Sequence, residues 1–537
     1  MAKLRTPLAT VLAGVETTPD RDILTFVDFR DDGGYDEETR SFRELLENGR
    51  RMAGAFTAAG MAEGQSFAII MRNHPEFVDA MIASEIAGTI FVPIDPRLRG
   101  DRLIYMLRFA ECRGAIVTPD MVAVLRPLLG RLPDLRWIWI LGASPAEPVF
   151  SSLESVMASA RPSTRLEPRP LDGVMQMLYT SGTTGDPKAI RSPYARFANI
   201  AALGPQIGLE PDDRPYTGLS LTHANAQLIT LGSALGMGLP LVISRQFSKS
   251  RLWPLLAHYG CTTFNLLGGM ATAILAEPPG PFDRENKVRF VLSAGMPLGM
   301  WKEFEERFGL RIFEVFGAAE GGFTLNPPGV GPMGSIGKSQ PGSECAILDE
   351  EGQPCGPHVL GEICFRPTEG AVAPVTYFRN PEASAQKTRG GWMHTGDIGY
   401  ADENGWLFFA HRSGDGVRRN GEFVNIGDIE SAIATIAGVA DVHLYGIATA
   451  TCAPGEKAVC AAVVRDAAAP VDPLSIFEDC RMRLGAGGIP DFVQIVPEIP
   501  KTASEKPQDR YLIDLIGQAG CSIFNKSGIT TITRDGA

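Results

Sequence analysis

Residues 179–188 read Tyr-Thr-Ser-Gly-Thr-Thr-Gly-Asp-Pro-Lys, which crowds hydroxyls (Ser181, Thr183, Thr184), glycines (Gly182, Gly185) and a cation (Lys188) into one turn. Such a loop suits a polyphosphate. Backbone N–H groups, hydroxyl donors and a positive charge meet the anion, and glycine lets the backbone come close. A Walker A loop needs a glycine directly before its lysine, and Pro187 holds that place, so a P-loop kinase or GTPase is disfavoured. An ordinary Ser/Thr/Gly-rich surface loop explains so dense a string less well.

Other clusters follow in the chain. Leu221-Thr-His-Ala-Asn carries His223 and Asn225, and Gly268-Gly269-Met270 follows a strand-like run. Ser293-Ala-Gly-Met-Pro is a small-residue turn, and Phe313-Glu-Val-Phe-Gly-Ala-Ala-Glu ends in Glu320, an oxygen ligand of the kind hard cations require. His394-Thr-Gly-Asp offers Asp397, whose two oxygens match two neighbouring hydroxyls. Pro500-Lys-Thr-Ala-Ser-Glu-Lys ends in Lys506.

In this order and spacing, over nearly the whole chain, the series resembles the adenylate-forming superfamily: acyl-CoA synthetases and the adenylation domains of peptide synthetases. The resemblance implies the following roles. Ser181, Gly182, Thr183, Thr184, Gly185 and Lys188 line the β- and γ-phosphates of ATP, and Thr184 and Glu320 hold Mg²⁺. Ala294 and Gly295 pack against adenine and the acyl group, Phe316 with Gly317 stacks on adenine, and Asp397 and Arg412 take the ribose. His223, Asn225, Gly268, Gly269 and Ala294 wall an acyl pocket. The segment around His223 is similar to that of carnitine-type CoA ligases. Lys506 is the catalytic lysine, neutralising charge between carboxylate and α-phosphate, and Arg418, Gly421 and Glu422 belong to the loop that enters for thioester formation with CoA. Four positions depart from the family pattern: Ala189 and Glu505 replace glycines, Ala319 replaces a threonine near the AMP phosphate, and Gly414, followed by Asp415, replaces an acidic hinge. None removes the loop lysine, the metal acid, the ribose acid or the catalytic lysine.

The implied activity is that of an AMP-forming acyl-CoA ligase acting on a small-molecule carboxylic acid, with ATP, Mg²⁺ and CoA. Two other readings stay open: an adenylating enzyme that loads a separate carrier protein or an amine, and a non-catalytic nucleotide- or acyl-CoA-binding regulator. The small residues of the acyl pocket suggest room for a bulky or branched group.

The chain has 537 residues, too many for one core, and a formal net charge of −12 with no evident basic face, which argues against nucleic acid as partner. Nine scattered cysteines without a Cys-x-x-Cys pair suit free thiols in a reducing cytoplasm, not a disulfide framework or a zinc site. The apolar run from Leu8 to Val15 reads as a first amphipathic helix rather than a signal peptide, and the uncharged stretch from Ala224 to Ser244 as a buried helix and a strand rather than a membrane span. Homodimerisation is left open.

The elements that must position these residues follow an α/β rhythm. Apolar runs at 67–71, 90–94, 115–118 and 137–141 alternate with helical segments at 75–87 and 99–111. The rhythm resumes from 175, with strands expected at 214–219, 239–244, 261–265, 289–293 and 311–316. Gly and Pro become dense from about 322. The expected division is a large N-terminal domain of doubly wound sheets (1–411) with a small β-barrel-like subdomain (322–411), a hinge at the polar run 412–421, and a small mobile α+β domain (422–537).

Overall fold

The computed structural model describes residues 4–142, 145–180, 188–318, 320–412, 417–419, 422–424, 426–449, 452, 457–467, 469–484, 488–502, 507–518 and 521–530. Seven strands form the first sheet, in the order Phe150–Ser152, Trp137–Ile140, Cys112–Val117, Ser66–Ile70, Ile90–Pro93, Val174–Thr180 and Lys188–Pro193. Neighbours are parallel except the last two, an antiparallel pair. The helix Pro75–Ala87 falls where its periodicity puts it and stops at Gly88, whose φ of 76° a side chain would oppose. It is buried nearly all round. That is why its neighbouring strands read as unbroken apolar runs rather than alternating ones.

The second sheet has nine strands: Lys338–Ser339, Gly321–Asn326, Arg311–Ala318, Phe290–Ala294, Thr263–Leu267, Pro215–Thr217, Leu241–Ser244, Asp22–Phe29 and Tyr35–Ser41. The six from Arg311–Ala318 to Asp22–Phe29 are parallel. After Pro215–Thr217 the chain adds Leu241–Ser244 on one side, then builds Thr263–Leu267 and its successors on the other. Such a reversal of strand order opens a crevice at the carboxyl ends of the strands. One apolar cluster, including Phe26, Phe67, Ile69 and Phe264, joins the two sheets.

The uncharged stretch is buried as expected, but its first part, Asn225–Leu231, is a π-helix, followed by the α-helix Gly232–Met237 and a left-handed stop at Gly238. The Gly/Pro-rich part differs more. Gly321–Asn326 still belongs to the nine-stranded sheet, because it pairs antiparallel with Arg311–Ala318. The separate β-rich unit is a four-stranded antiparallel sheet, Ser343–Leu348, Gly361–Pro367, Met393–Ala401 and Leu407–Arg412, tied back by a bridge between Gly337 and Leu407.

Beyond it lies a short hairpin, Val417–Arg419 with Glu422–Val424. A five-stranded sheet follows, flanked by the helices Ile426–Ala434, Pro473–Leu484 and Asp509–Leu515 and holding its own core around Ile433, Val459, Val463 and Ile476. Among the described residues no helix is long and apolar enough to cross a membrane.

Close packing in the first sheet makes a test. Gly114 pairs with Trp137 on the neighbouring strand, and a Cβ at Gly114 would lie 1.9 Å from Trp137 Cε2. Trp137 is itself stacked on Trp139 at 4.0 Å between ring centroids, so it has little room to yield. Gly114→Ala should therefore cost about 1–3 kcal/mol, seen as a lower urea midpoint at unchanged slope. A wild-type midpoint would mean that the tryptophan pair moves freely.

Candidate active site

Four parallel strands of the nine-stranded sheet deliver the predicted residues from their carboxyl ends. His223 and Asn225 follow Pro215–Thr217, Gly268 and Gly269 follow Thr263–Leu267, Ala294 and Gly295 close Phe290–Ala294, and Phe316 and Gly317 lead to Glu320 after Arg311–Ala318. Asp397 and Arg412 come from the four-stranded sheet, where they are direct cross-strand partners.

Asp397 is 3% exposed, and Arg412 Nε donates to its Oδ1 at 2.9 Å. The turn that presents it is held at several points. Thr395 Oγ1 donates to the Ile363 carbonyl at 2.7 Å and accepts the Asp397 N–H at 3.0 Å. The Gly396 N–H donates to Glu362 Oε1 at 2.8 Å, and Lys387 Nζ donates to the carbonyls of His394 and Thr395 at 2.9 Å each. Gly396 has φ of 80°, the reason this turn carries glycine.

Arg412 also faces His223. Burial first, and the Arg412 charge second, push the imidazole down to about 4, so it is neutral at pH 7. Its Nδ1 accepts the Asn225 N–H at 3.4 Å. Asn225 in turn receives a hydrogen bond from the buried Asn265 amide. The expectation of a roomy pocket needs correction at Gly268. A Cβ there would stand 2.3 Å from the Gly295 carbonyl oxygen, so its smallness is taken up by backbone contact rather than left for ligand.

Glu320, Lys188 and Tyr377 meet on the other side. The Tyr377 hydroxyl donates to Glu320 Oε1 at 2.6 Å, and Lys188 Nζ lies 5.6 Å from the centre of the Tyr377 ring. Lys387 Nζ is 3.7 Å from Glu320 Oε1. Phe316 stacks on Phe365, with ring centroids 6.4 Å apart and planes 16° apart. A cleft of about 440 Å³ opens beside this group, lined by Lys188, Tyr377, Asn380, Lys387, Arg389 and Gly396 among others. A hard carboxylate with Lys387 beside it, and Lys188 over the ring of the tyrosine bonded to it, is a set of groups that suits Mg²⁺ with a polyphosphate.

Ser181, Gly182, Thr183, Thr184, Gly185, Ala319, Gly414, Asp415, Gly421, Glu505 and Lys506 lie outside the described residues, and Arg418 and Glu422 are described only as strand positions of the hairpin. Ala189 is fully buried in the core of the first sheet, and its carbonyl accepts the Phe378 N–H at 2.7 Å. Its methyl group fills core space.

Sequence reasoning missed Tyr377, Lys387 and Asn265, and it left Glu314 without a role. Tyr377 precedes Asn380-Pro381, a helix-start signal that says nothing of its hydroxyl. Glu314 is legible only in three dimensions. It is 2% exposed on its strand, and its carboxyl accepts the N–H groups of Gly295 and Met296, pinning the turn that the sequence marks as adenine-facing.

The profile of AMP-binding enzymes matches residues 12–372, and that of the AMP-binding enzyme C-terminal domain matches residues 428–506. A crotonobetaine/carnitine–CoA ligase of Salmonella paratyphi A is 28% identical over 481 residues, covering 87% of this chain and 91% of the relative. The corresponding ligase of Shigella sonnei is 28% identical over 477 residues, with the same coverage of 87% and 91%. Among solved structures, an anthranilate CoA ligase in complex with anthranoyl-AMP superposes with a TM-score of 0.84 at 23% identity, covering 95% of this chain and 97% of that one. A benzoate CoA ligase from Burkholderia xenovorans gives 0.81 at 22% identity, covering 95% and 100%. These likenesses establish the fold.

Glu314 yields a pH prediction. Burial pushes its carboxyl up from 4.5 to about 8. Between those values the native chain keeps a proton that the unfolded chain has lost. The stability gained is therefore complete below the lower value and declines as pH rises, by up to about 1.4 kcal/mol per pH unit. Glu314→Gln keeps an acceptor for both N–H groups and removes the titration. Its thermal midpoint should fall less than that of the wild type between pH 5 and 8, and parallel curves would mean that Glu314 is ionised in the native state.

Proposed function

The chain belongs to the AMP-binding enzyme family, and from that premise we propose that it is an AMP-forming acyl-CoA ligase. In the first half-reaction a carboxylate oxygen attacks the α-phosphorus of ATP, and the bond to pyrophosphate breaks. In the second, the CoA sulfur attacks the acyl carbon of the adenylate, AMP leaves, and the thiol proton passes to solvent. Mg²⁺ would neutralise phosphate charge, held by Glu320 and Thr184.

The observation that carries this reading is the meeting of Asp397, Arg412 and His223. The buried acid, oriented by Arg412 at 2.9 Å, is suited to two ribose hydroxyls. The Arg412 charge is also felt at the neutral His223, which would begin the acyl pocket. Lys188 and the loop 181–187 would hold the β- and γ-phosphates, Phe316 and the Gly295 turn the adenine. His223, Asn225, Gly268, Gly269 and Ala294 would bound the acyl group, the polar pair Asn225–Asn265 favouring an acid with a hydrogen-bonding group. Lys506 would act in adenylation. Rotation of residues 422–537 about the segment 412–421 would then withdraw it and bring Arg418, Gly421 and Glu422 to CoA. The nine free cysteines support a cytoplasmic setting.

The deciding experiment measures AMP release over a panel of carboxylic acids, with and without CoA. Release that requires both acid and CoA is expected. Release to a carrier protein or amine alone would move the assignment to an adenylating enzyme of that type, and no release with tight nucleotide binding would make the chain a regulator.

Two variants separate the roles. Lys506→Ala should cut adenylation by about 10²–10³ while sparing thioester formation from preformed acyl-AMP. Asp397→Ala should raise the KM for ATP, since each hydrogen bond lost to a charged acceptor is worth about 1.5–3 kcal/mol. An unchanged KM for ATP would sink the ribose assignment, and equal loss of both half-reactions in Lys506→Ala would sink the rotation.

A further inference from the structure

Behind the Asp397 turn, one face of the four-stranded sheet carries Glu362, Cys364 and His394. Glu362 and Cys364 are two residues apart on one strand, and His394 is the direct cross-strand partner of Cys364. One ligand atom from each of the three lies within 4.8 Å of the other two. His394 Nδ1 is 2.7 Å from Glu362 Oε2 and 3.3 Å from Cys364 Sγ.

These distances do not describe a nucleophilic triad. That arrangement needs one ring nitrogen for the thiol and the other for the carboxylate, whereas here both partners converge on Nδ1. Burial also pushes the Cys364 thiol up to about 12, so no thiolate is preformed. Hydrogen bonding is equally overcommitted, because a single Nδ1 cannot donate to the carboxylate and accept from the thiol at once. The other nitrogen, Nε2, lies 3.3 Å from the Arg389 carbonyl. Donation to that carbonyl turns the Nδ1 lone pair toward sulfur and oxygen, the way the outer partner of a metal-ligating histidine orients its ring.

We propose that Glu362, Cys364 and His394 bind a borderline-soft divalent cation, with zinc the best match to one sulfur, one nitrogen and one oxygen. The ion replaces the thiol proton, which leaves to solvent, and takes the Nδ1 lone pair and Glu362 Oε2 as its other ligands. Glu362 Oε1 keeps its hydrogen bond to Gly396 at 2.8 Å. Arg389 Nη2, 3.1 Å from Oε2, must swing aside, and its side chain is half exposed. The 440 Å³ cleft, lined by Glu362 and His394, is the entry path and supplies a water for the fourth position. The site stands on this sheet alone, whatever the enzyme's reaction.

The test titrates chelator-treated full-length protein with zinc against a chromophoric chelator, then with cobalt. Wild-type protein should bind one equivalent more than Cys364→Ser or His394→Gln. Cys345→Ser, which removes a thiol packed on the opposite face of the sheet, should keep that equivalent. Cobalt should give a thiolate charge-transfer band that Cys364→Ser loses, and X-ray absorption should find one sulfur at about 2.3 Å with nitrogen and oxygen at about 2.0–2.2 Å. Equal stoichiometry in wild type and Cys364→Ser, with both variants folded by circular dichroism, or a bound ion without sulfur, would overturn the proposal.

Discussion

The hydrogen bond from the Tyr377 hydroxyl to Glu320, at 2.6 Å, ties together parts from three sheets. Glu320 follows the last parallel strand of the nine-stranded sheet. Tyr377 packs in the core of the four-stranded sheet and forms a backbone bridge with Ile190, on the edge strand of the seven-stranded sheet. Lys188 lies over the Tyr377 ring. One aromatic side chain thus links Lys188 with the acid that reads as metal-binding. A charge-accepted hydrogen bond at a partly buried site is worth more than a neutral one, and here it also fixes geometry across three sheets.

Around that junction the backbone does much of the work. The reversal of strand order after Pro215–Thr217 leaves the carboxyl ends of the strands open, and the turns that follow them carry small residues because backbone meets backbone there. Gly268 against Gly295 is the clearest case. Glu314 holds the Gly295 turn with a carboxyl kept neutral by burial, so the turn is positioned without a full charge beneath it. Electrostatics divide in the same way on the far side, where Arg412 balances Asp397 and burial, helped by the Arg412 charge, keeps His223 uncharged.

Ala189 is a buried packing change with its carbonyl satisfied by Phe378. The other departures from the family pattern, at 319, 414 and 505, lie outside the described residues. The face bearing Glu362, Cys364 and His394 matters here too, because Glu362 reaches the Asp397 turn through Gly396. Whatever binds to its other oxygen is felt one residue from Asp397.

Much was legible from residues in order. The helix Pro75–Ala87 and the strands Leu241–Ser244 and Phe290–Ala294 sit where the apolar pattern puts them, because apolar spacing is a local property that burial then uses. The motif residues Asp397, Glu320, Lys188 and His223 were nameable because each carries its chemistry in its own side chain. Tertiary structure decided what depends on partners distant in sequence. Gly321–Asn326 joined the large sheet because Arg311–Ala318 offered an open edge. Tyr377, Asn265 and Glu314 acquired roles only from the groups placed against them. Gly268 looked like pocket space and proved to be contact. Cysteines scattered along the chain gave no hint that Cys364 stands against His394 and Glu362, since cross-strand register, not spacing in the chain, brings those atoms together.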